Sequence, residues 1–389
     1  MPPKTIYLDY AATTPTDPLV FDAMLPYLGG DGFGNPSSVH QAGQRVRRAI
    51  DQARDTLASE IGAEASEIYF TSGGTEADNT AILGVLLAAR METGRDHLVT
   101  LVTEHHAVLD CAQFAEKTLG FRVTYLPVDR EGFVPLESVA EAITDRTALV
   151  SVMHGNNEIG TLQPVAGIAR LAHERGAYFH TDAVQTFGQM PLAVAALDAD
   201  LVTLSAHKIY GPKGAGALFV RQGVRWTPWL HGGQQEREKR AGTENAAAIV
   251  GFGKAVELLP TWRDSEALRL ARLRDDFIAQ VLAAVPGAGL NGPAGLRRLP
   301  NSTNLSFPGT DSESLLLGLD LAGIAASAGS ACASGSIEPS HVLLALGMPS
   351  GLVRSALRFS LGRGTTSEQL DRVTTVLRRL VSSDGPVRV

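Results

Sequence analysis

The sequence is poor in cysteine, with only Cys111 and Cys332 among its 389 residues. Two cysteines provide no disulfide framework, and these two form no CxxC pair of the kind that binds zinc. The chain also has no excess of positive charge, since its formal net charge at pH 7 is -7. That balance excludes bulk attraction to nucleic acid or to an anionic membrane surface. We therefore expect no metal and no direct nucleic-acid partner.

Long apolar runs, repeats and leader segments are also missing. No stretch approaches the roughly 20 uninterrupted apolar residues of a membrane-spanning helix. The opening residues, MPPKTIYLDYAATTP, have neither the apolar segment of a secretory leader nor the Arg/Ser richness of a transit peptide. We expect no membrane partner, and the reducing cytoplasm is the simplest location for a chain with so few cysteines.

What the sequence does have is a regular alternation of strand and helix patterns between about residues 65 and 220. Amphipathic segments separate most of the strands, and some carry Pro at the start and Gly at the end, as helices do. This order predicts an α/β fold with a largely parallel sheet covered on both faces. The predicted strands are 67–70, 97–102, 122–126, 148–152, 177–181, 201–205 and 216–220.

The pattern changes after residue 245, where two long helices are predicted within 245–285. Isolated strands and helices then alternate, as in an α+β domain. A chain of this length is typical of two domains. We predict a large domain over 16–260, and a small domain over 261–389 that also takes residues 1–15.

The segment LVTLSAHKIYGPKGAG (201–216) joins a buried strand to a Gly/Pro-rich turn. Lys208 follows the strand directly, close to Ser205 and His207. One interpretation is an exposed lysine. The other is a lysine that binds pyridoxal 5'-phosphate (PLP) through a Schiff base, because glycines admit a ligand and the hydroxyl and imidazole can donate to a phosphate. The residues alone leave both open.

Other polar groups also follow strand ends. Asp182 suits either a protonated ring nitrogen of PLP or the cap of a helix. Gly74 and Thr75 begin a helix whose N–H groups can bind an anion. His105 can stack on a flat ring, while Asn157 can donate to a ring oxygen or a carboxylate. Because the carboxyl ends of parallel strands border one crevice, these groups predict a single ligand site.

Several motifs, taken together and in order, resemble the cysteine desulfurases of the NifS/IscS type. The similarity runs from about residue 6 to 378. These enzymes belong to class V of the PLP enzymes with the aspartate-aminotransferase-like fold (fold type I), so the resemblance implies a mostly parallel seven-stranded sheet and a smaller α+β C-terminal domain. The motifs are YLDYAATTP, FGNPSS, TSGGTEADN, EHHAVLD, SVMHGNNEIGTLQP, HTDAVQ, SAHKIYGPKG, HGGQQEREKRAGTEN, GSACASGSIEPSH and RFSLGR.

The resemblance also implies a cofactor role for each matched residue. Lys208 would hold PLP covalently, with Asp182 at its pyridine nitrogen and Gln185 at its phenolic oxygen. His105, the first histidine of EHHAV, would stack on the ring. The phosphate would be held by Gly74, Thr75, Ser205 and His207.

For the remaining matched residues the resemblance implies substrate binding and assembly. Arg358, with Asn157 and Asn35, would bind the substrate carboxylate, for which a guanidinium fork is suited. Without the resemblance, Arg358 is more typical of a surface. Thr243 would reach the phosphate in the partner subunit, which implies a homodimer.

Cys332 lies in the run AGSACASGS, among small residues that lower the cost of backbone movement. The resemblance implies that its thiolate takes the sulfur of L-cysteine as a persulfide and releases L-alanine. The acceptor would be an iron–sulfur scaffold or another acceptor, such as the tRNA thiolation machinery. A buried cysteine is the usual alternative, and we predict it for Cys111.

Other activities are compatible with parts of this pattern. A selenocysteine lyase would use the same pocket. A class V aminotransferase would have no use for Cys332, and a non-catalytic sulfur-carrier subunit would not need Lys208 and Asp182. The chain ends soon after its last predicted helix, which argues against the longer docking tail of housekeeping iron–sulfur members.

Overall fold

The computed structural model describes residues 5–328 and 339–382. Its largest element is a seven-stranded sheet whose strands match the seven predicted ones to within one residue at each end. The match is close because these strands are short, apolar and bounded by turn residues. They are β2 (Ile68–Thr71), β3 (His97–Leu101), β4 (Arg122–Leu126), β5 (Thr147–Ser151), β6 (Tyr178–Asp182), β7 (Leu201–Ser205) and β8 (Gly216–Val220).

The strand order is β2-β8-β7-β6-β5-β3-β4. Only β8 opposes the others, because it pairs antiparallel with both β2 and β7 while the remaining pairs are parallel. The predicted α/β class and mostly parallel sheet are therefore confirmed. β3, β5, β7 and β8 are buried along their whole length, as expected for a sheet covered on both faces.

Helices cover this sheet on two sides, and each side has its own hydrophobic core. Val46 and Ile168 belong to one core, and Val85 and Val108 belong to the other. The helices that precede residue 240 are α1 (Pro18–Gly29), α2 (Gln41–Ile61), α3 (Gly74–Thr93), α4 (His106–Lys117), α5 (Leu136–Ala142), α6 (Val165–Glu174), α7 (Val194–Leu197) and α8 (Gln235–Glu238).

A second, antiparallel sheet consists of β12 (Ala356–Ser360), β10 (Ser302–Ser306) and β9 (Gly289–Asn291), in that order. It packs on a separate core that includes Leu8, Phe277 and Phe359. The first strand, β1 (Ile6–Tyr7), pairs with β11 (Ile324–Ala325) beside it. The other elements here are α10 (Ser312–Leu321), α11 (His341–Ala345), α12 (Ser350–Val353) and α13 (Ser367–Ser382).

The prediction of two helices within 245–285 was wrong, because a single helix, α9 (Ala246–Ala284), spans this region with Pro260 inside it. Proline removes one backbone hydrogen bond, but packing on either side continues the helix. Val256 belongs to the large-sheet core and Leu270 to the core of the second sheet. The predicted domain boundary at 260/261 falls within α9, and the division itself stays a prediction. Even with α9 included, no helix of the described residues is long and apolar enough to cross a membrane.

Candidate active site

The carboxyl ends of β2, β3, β5, β6 and β7 border one cavity of about 240 Å³. Ligands of open α/β sheets bind at this edge because the loops after parallel strands converge there. Nearly all of the cofactor-binding candidates, drawn from loops far apart in sequence, share this cavity. Those that line it are Gly74, Thr75, His105, Asn157, Asp182, Gln185, Ser205, His207 and Lys208.

Lys208 lies in the short helical turn that follows β7, and its side chain is half-buried rather than exposed. Its ammonium donates hydrogen bonds to the carbonyl oxygens of Ala11 and, at 2.9 Å, Ala12. The turn folds back closely, since a Cβ added to Gly211 would lie 2.7 Å from the Ala206 carbonyl oxygen. The Gly/Pro-rich sequence therefore holds the lysine at the cavity wall instead of releasing it to solvent.

Asp182 ends β6 and is buried at the cavity. One carboxylate oxygen accepts a hydrogen bond of 2.8 Å from the Val184 N–H, so the local capping role and a ligand role are compatible. Burial raises the pKa of Asp182 to about 6, although the Val184 hydrogen bond and the positive charge of Lys208 oppose the rise. Gln185 follows one turn later and donates at 3.0 Å to the Ala11 carbonyl.

His105 precedes α4, and its Nδ1 accepts a hydrogen bond of 3.1 Å from the Ala107 N–H. Burial, followed by the positive charge of Lys208, lowers the pKa of His105 to about 4. The ring is therefore neutral at pH 7 and lines the cavity as a flat surface. The adjacent His106 points elsewhere, because its half-exposed ring pairs with Asp110 at 3.2 Å.

The loop between β2 and α3 and the end of β7 together form a candidate anion site. Gly74 and Thr75 are the first two residues of α3, where N–H groups lack helical partners. A Cβ on Gly74 would lie 3.0 Å from Val184, so glycine keeps this approach open. The Ser205 hydroxyl is buried at the same cavity with no hydrogen-bond partner in the described part of the chain. His207 Nδ1 lies 3.2 Å from the Thr13 hydroxyl.

Arg358 in β12 is 3% exposed, which excludes the surface interpretation. Its guanidinium donates at 3.0 Å to the Asn157 carbonyl and pairs with Asp9 at 2.7 Å. Asp9 was missed by the sequence analysis, although it stands in the quoted YLDYAATTP motif. The sequence around Asp9 does not predict its role, because its partner Arg358 lies 349 positions away in the chain.

Asp78 was also missed. It lines the cavity from α3 and is 1% exposed. Burial, and then the negative charge of Asp182, raise the pKa of Asp78 well above its usual range. Its helical position among apolar residues gave no reason to place it beside Asp182.

Asn35 and Thr243 do not join the cavity that holds Lys208. Both are exposed and line a separate cavity, together with Leu28 and Phe33. In a single chain, therefore, these two predicted residues line a different cavity from the other candidates. They are placed where a second molecule can reach them.

Cys332 lies outside the described residues. Of the described residues on either side of its segment, Ser327 exchanges backbone hydrogen bonds with Arg358, and the Ser340 hydroxyl donates at 2.6 Å to Glu158, which follows Asn157 in the chain. Cys111, the other cysteine, is buried in α4, and burial raises the pKa of its thiol to about 12. That outcome agrees with the structural role predicted for Cys111.

The cavity fits PLP by the chemistry of its groups. Lys208 provides an amine, Asp182 a buried carboxyl group and His105 a neutral ring. The unpartnered Ser205 hydroxyl, next to the first N–H groups of α3, is the strongest indication, because a buried donor without a partner is costly unless a ligand completes it. A phosphate supplies the acceptors that this hydroxyl lacks.

Comparisons with known proteins give a consistent result. Residues 6–373 match the family described as Aminotransferase class-V. The chain is 51% identical to a protein named cysteine desulfurase IscS from Dictyoglomus turgidum, over 97% of this chain and 95% of that protein. A second, from Clostridium botulinum (strain Hall), is 49% identical over 97% and 94%. The solved structure of a "NifS-like protein" superimposes with a TM-score of 0.89 at 34% identity, covering 97% of this chain and 99% of the other.

Proposed function

This chain belongs to the aminotransferase class-V family and is a PLP-dependent cysteine desulfurase, and we propose that its described cavity binds PLP and L-cysteine while Cys332 takes up the sulfur. The observation that carries the assignment of the cavity is the meeting of Lys208, Asp182 and the unpartnered Ser205 hydroxyl in one buried space. These three groups suit the aldehyde, the ring nitrogen and the phosphate of PLP respectively.

Each end of the cofactor has its own residues. Lys208 would hold it covalently, and Asp182 would keep the ring nitrogen protonated while Gln185 would donate to the phenolic oxygen. His105 packs on the ring as a neutral imidazole. The N–H groups at Gly74 and Thr75 and the side chains of Ser205 and His207 would hold the phosphate. When bound, the cofactor supplies an electron sink that allows the Cα–H and then the C–S bond of the substrate to break.

The substrate carboxylate binds at Arg358 and Asn157. Arg358 is buried and oriented by its hydrogen bond to the Asn157 carbonyl and its pair with Asp9, so little order is lost when a second carboxylate arrives. The Lys208 amine, which lines the same cavity, would accept the Cα proton as a general base. The same amine, as an ammonium, returns a proton during the formation of alanine.

The Cys332 thiolate attacks the substrate sulfur, so that an S–S bond forms as the substrate C–S bond breaks. L-cysteine and the Cys332 thiol thereby become L-alanine and a Cys332 persulfide, and no external oxidant is needed. Support comes from the motif around Cys332 and from the attachment of its flanking residues beside Arg358 and Glu158. A persulfide is passed on by exchange with an acceptor thiol.

We propose an acceptor protein with a reactive thiol, such as an iron–sulfur scaffold or a protein of tRNA thiolation, as the destination of the sulfur. The proposed location is the cytoplasm, because the mechanism needs Cys332 as a free thiol and a reducing compartment maintains it.

We propose that the enzyme is a homodimer in which Thr243 completes the phosphate site of the partner subunit. The support is an exposed apolar surface next to Thr243: Leu28 is 61% exposed and Phe33 81%. Leu28 and Phe33 line the same cavity as Thr243 and Asn35. Exposed apolar patches of this kind mark association surfaces. Association through this patch would place Asn35 and Thr243 at the interface between two subunits.

The test compares Cys332→Ser with Lys208→Ala in the purified holoenzyme. We expect Cys332→Ser to keep the visible absorbance of the lysine-linked cofactor but to lose nearly all sulfide and alanine production from L-cysteine. Lys208→Ala should lose that absorbance altogether. Cys111→Ala is the matched control, since its thiol is buried in α4, and it should retain both absorbance and activity.

Two outcomes would overturn the assignment. Full desulfurase activity in Cys332→Ser would remove the persulfide role. Retention of the visible absorbance in Lys208→Ala would show that another amine holds the cofactor.

A further inference from the structure

Residues 234–245, here called the arm, carry Thr243 and include an unusual stretch of backbone. Glu236, Arg237 and Glu238 have φ angles of 45°, 58° and 67°. Three successive residues with side chains in the left-handed region are strained, because their Cβ atoms approach the following carbonyl oxygens. Such backbone persists only where the surroundings hold it, and it is commonest at functional sites.

What holds this turn is the buried carboxylate of Glu236, which is 5% exposed. Arg54 of α2 donates to both of its oxygens, at 2.7 and 2.8 Å, and the Phe70 N–H donates at 2.9 Å. Arg54 is itself fixed by the Ile68 carbonyl at 2.7 Å. The two-bond geometry sets both the position and the orientation of the turn.

Further ties continue along the arm. Arg240 grips both oxygens of Glu76 in α3, at 2.8 and 3.1 Å, and Glu244 pairs with Arg47 of α2. Lys239 donates at 2.9 Å to the Trp226 carbonyl. The arm is thus attached before and after Thr243, whose own side chain is left exposed.

The buried ion pair and the left-handed turn both cost free energy in this surface segment. A buried ion pair contributes little net stability, because both charges lose their hydration, and the left-handed turn costs more. Within one chain the arm does not line the cavity of Lys208, although it is tied to Phe70 and Glu76 on either side of the helix start that carries Gly74 and Thr75. Thr243 lies outside that cavity, so the rigidity of the arm around Thr243 does not serve the chain's own site. It is explained if Thr243 must be presented to a second molecule at a fixed place.

We propose that Glu236 is a positioning residue: its ion pair with Arg54 fixes the left-handed turn and so places the Thr243 hydroxyl at the phosphate of the partner subunit's site. This inference rests on the proposed dimer and on the proposed role of Thr243. In this proposal the position of the Thr243 hydroxyl at the dimer contact is set by Glu236, some seven residues upstream. Glu236 itself touches neither the ligand nor the partner subunit.

Mixed dimers made from two differently tagged subunits test the inference. One subunit, the donor, carries Lys208→Ala, so that lysine-linked PLP is present only in the site of the other subunit, the recipient. The donor's Thr243 serves the recipient's site. The measurement is the rate at which the lysine-linked cofactor absorbance decays after dilution into a PLP scavenger.

We expect Glu236→Gln in the donor to speed this loss about tenfold, because a hydroxyl contact to a charged phosphate is weakened. The same substitution in the recipient should leave the rate within about twofold of wild type. Glu238→Gln in the donor is the matched control, since it removes the same charge from the same turn at an exposed position, and it should have no effect.

Thr243→Ala in the donor distinguishes the proposed contact across the dimer from the proposed positioning role of Glu236. If it does not accelerate cofactor loss, the proposed contact across the dimer is wrong. If it does, but Glu236→Gln acts equally from either subunit or from neither, the positioning role of Glu236 is wrong. A purely structural role would weaken both subunits alike.

Glu236→Gln leaves the Arg54 charge buried without its partner and can impair folding. The double variant Arg54→Met, Glu236→Gln removes both charges and keeps an apolar side chain over Phe70. In the donor it should reproduce the roughly tenfold acceleration. A wild-type rate in this folded double variant would also overturn the inference.

Discussion

Two carboxyl groups in one buried cavity cannot both ionise without cost, and the cavity wall contains Asp182 and Asp78. In the free enzyme, burial raises the pKa of Asp182 to about 6. Its anionic form, which the ring nitrogen of PLP needs, is therefore less favourable than that of an exposed aspartate, and a positive partner beside it would stabilise that form. The two carboxyl groups therefore suit the binding of a cationic ring, although their burial lowers the stability of the free enzyme.

A pH prediction follows for the apoenzyme. The pKa of Asp182 is about 6 when folded against a reference value of 3.8, so its protonated form favours the folded state at low pH. That stability is complete below about pH 4 and is lost as the pH rises to about 6. Asp182→Asn removes this dependence, so its unfolding free energy should gain about 2–3 kcal/mol on wild type between pH 4 and pH 6 and then stay level.

Urea unfolding of both apoproteins across this pH range is the measurement. The difference curve is informative because the titrating groups that do not interact with Asp182 cancel between wild type and variant. Asp78 and Glu104 do not cancel, because the negative charge of Asp182 raises the pKa of each. A flat difference, or one that rises only above pH 7, would contradict the assigned environment of Asp182.

At the scale of elements, the left-handed turn of α8 predicts a stabilising substitution. Glu238 has φ 67° and an exposed side chain, and glycine adopts this conformation without a Cβ clash. Glu238→Gly should therefore raise the free energy of unfolding by about 0.5–1 kcal/mol, the relief of strain being partly offset by the greater freedom of glycine when unfolded. Denaturant unfolding of the holoenzyme measures it.

Glu238→Ala is the control for that experiment, because it removes the same charge but keeps the Cβ atom. It should leave the stability close to wild type. Equal stabilisation by alanine and glycine would indicate that charge, rather than backbone strain, limits the turn.

The elements also show what sequence patterns can and cannot predict. The strands of the large sheet were predictable because apolar runs such as LVTLS are bounded by turn residues. Within α9, Pro260 indicated an interruption that tertiary packing overrides. The left-handed turn was not predictable, because Glu, Arg and Glu carry no turn signal, and the Arg54 that holds Glu236 lies 182 residues away.

The candidate site divides in the same way. Residues that follow strand ends, such as Lys208 and Asp182, could be expected to meet because parallel strands deliver them to one edge. Asp9 and Asp78 could not, since their importance depends on what lies opposite them in the folded chain. Burial of Arg358 likewise depends on contacts with Asn157 and Asp9, which are distant in the chain and which periodicity does not reveal.

At the scale of the whole molecule, the proposed dimer makes a prediction for the apolar surface near Thr243. Leu28→Glu should shift the protein toward a monomer and weaken PLP retention together, because a charge at a buried interface is unfavourable and because Thr243 would then lose its place. Light scattering coupled to gel filtration gives the mass, and the visible absorbance of the same fractions gives the retained cofactor.

Leu268→Glu is the matched control, because Leu268 is 65% exposed on α9 and Leu28 is 61% exposed on α1. It should change neither mass nor cofactor content. An unchanged mass for Leu28→Glu would rule out this surface as the subunit contact.

The pairing of Asp9 with Arg358 has a consequence for selectivity. A guanidinium without a partner would attract any small anion, but the Arg358 guanidinium already has a negatively charged neighbour. A ligand must therefore carry a carboxylate that shares the guanidinium with Asp9 or displaces Asp9 from it. Small thiols without a carboxylate, such as cysteamine, gain no binding energy from Arg358. The Asp9–Arg358 pair thereby favours thiols that carry a carboxylate before any covalent bond forms.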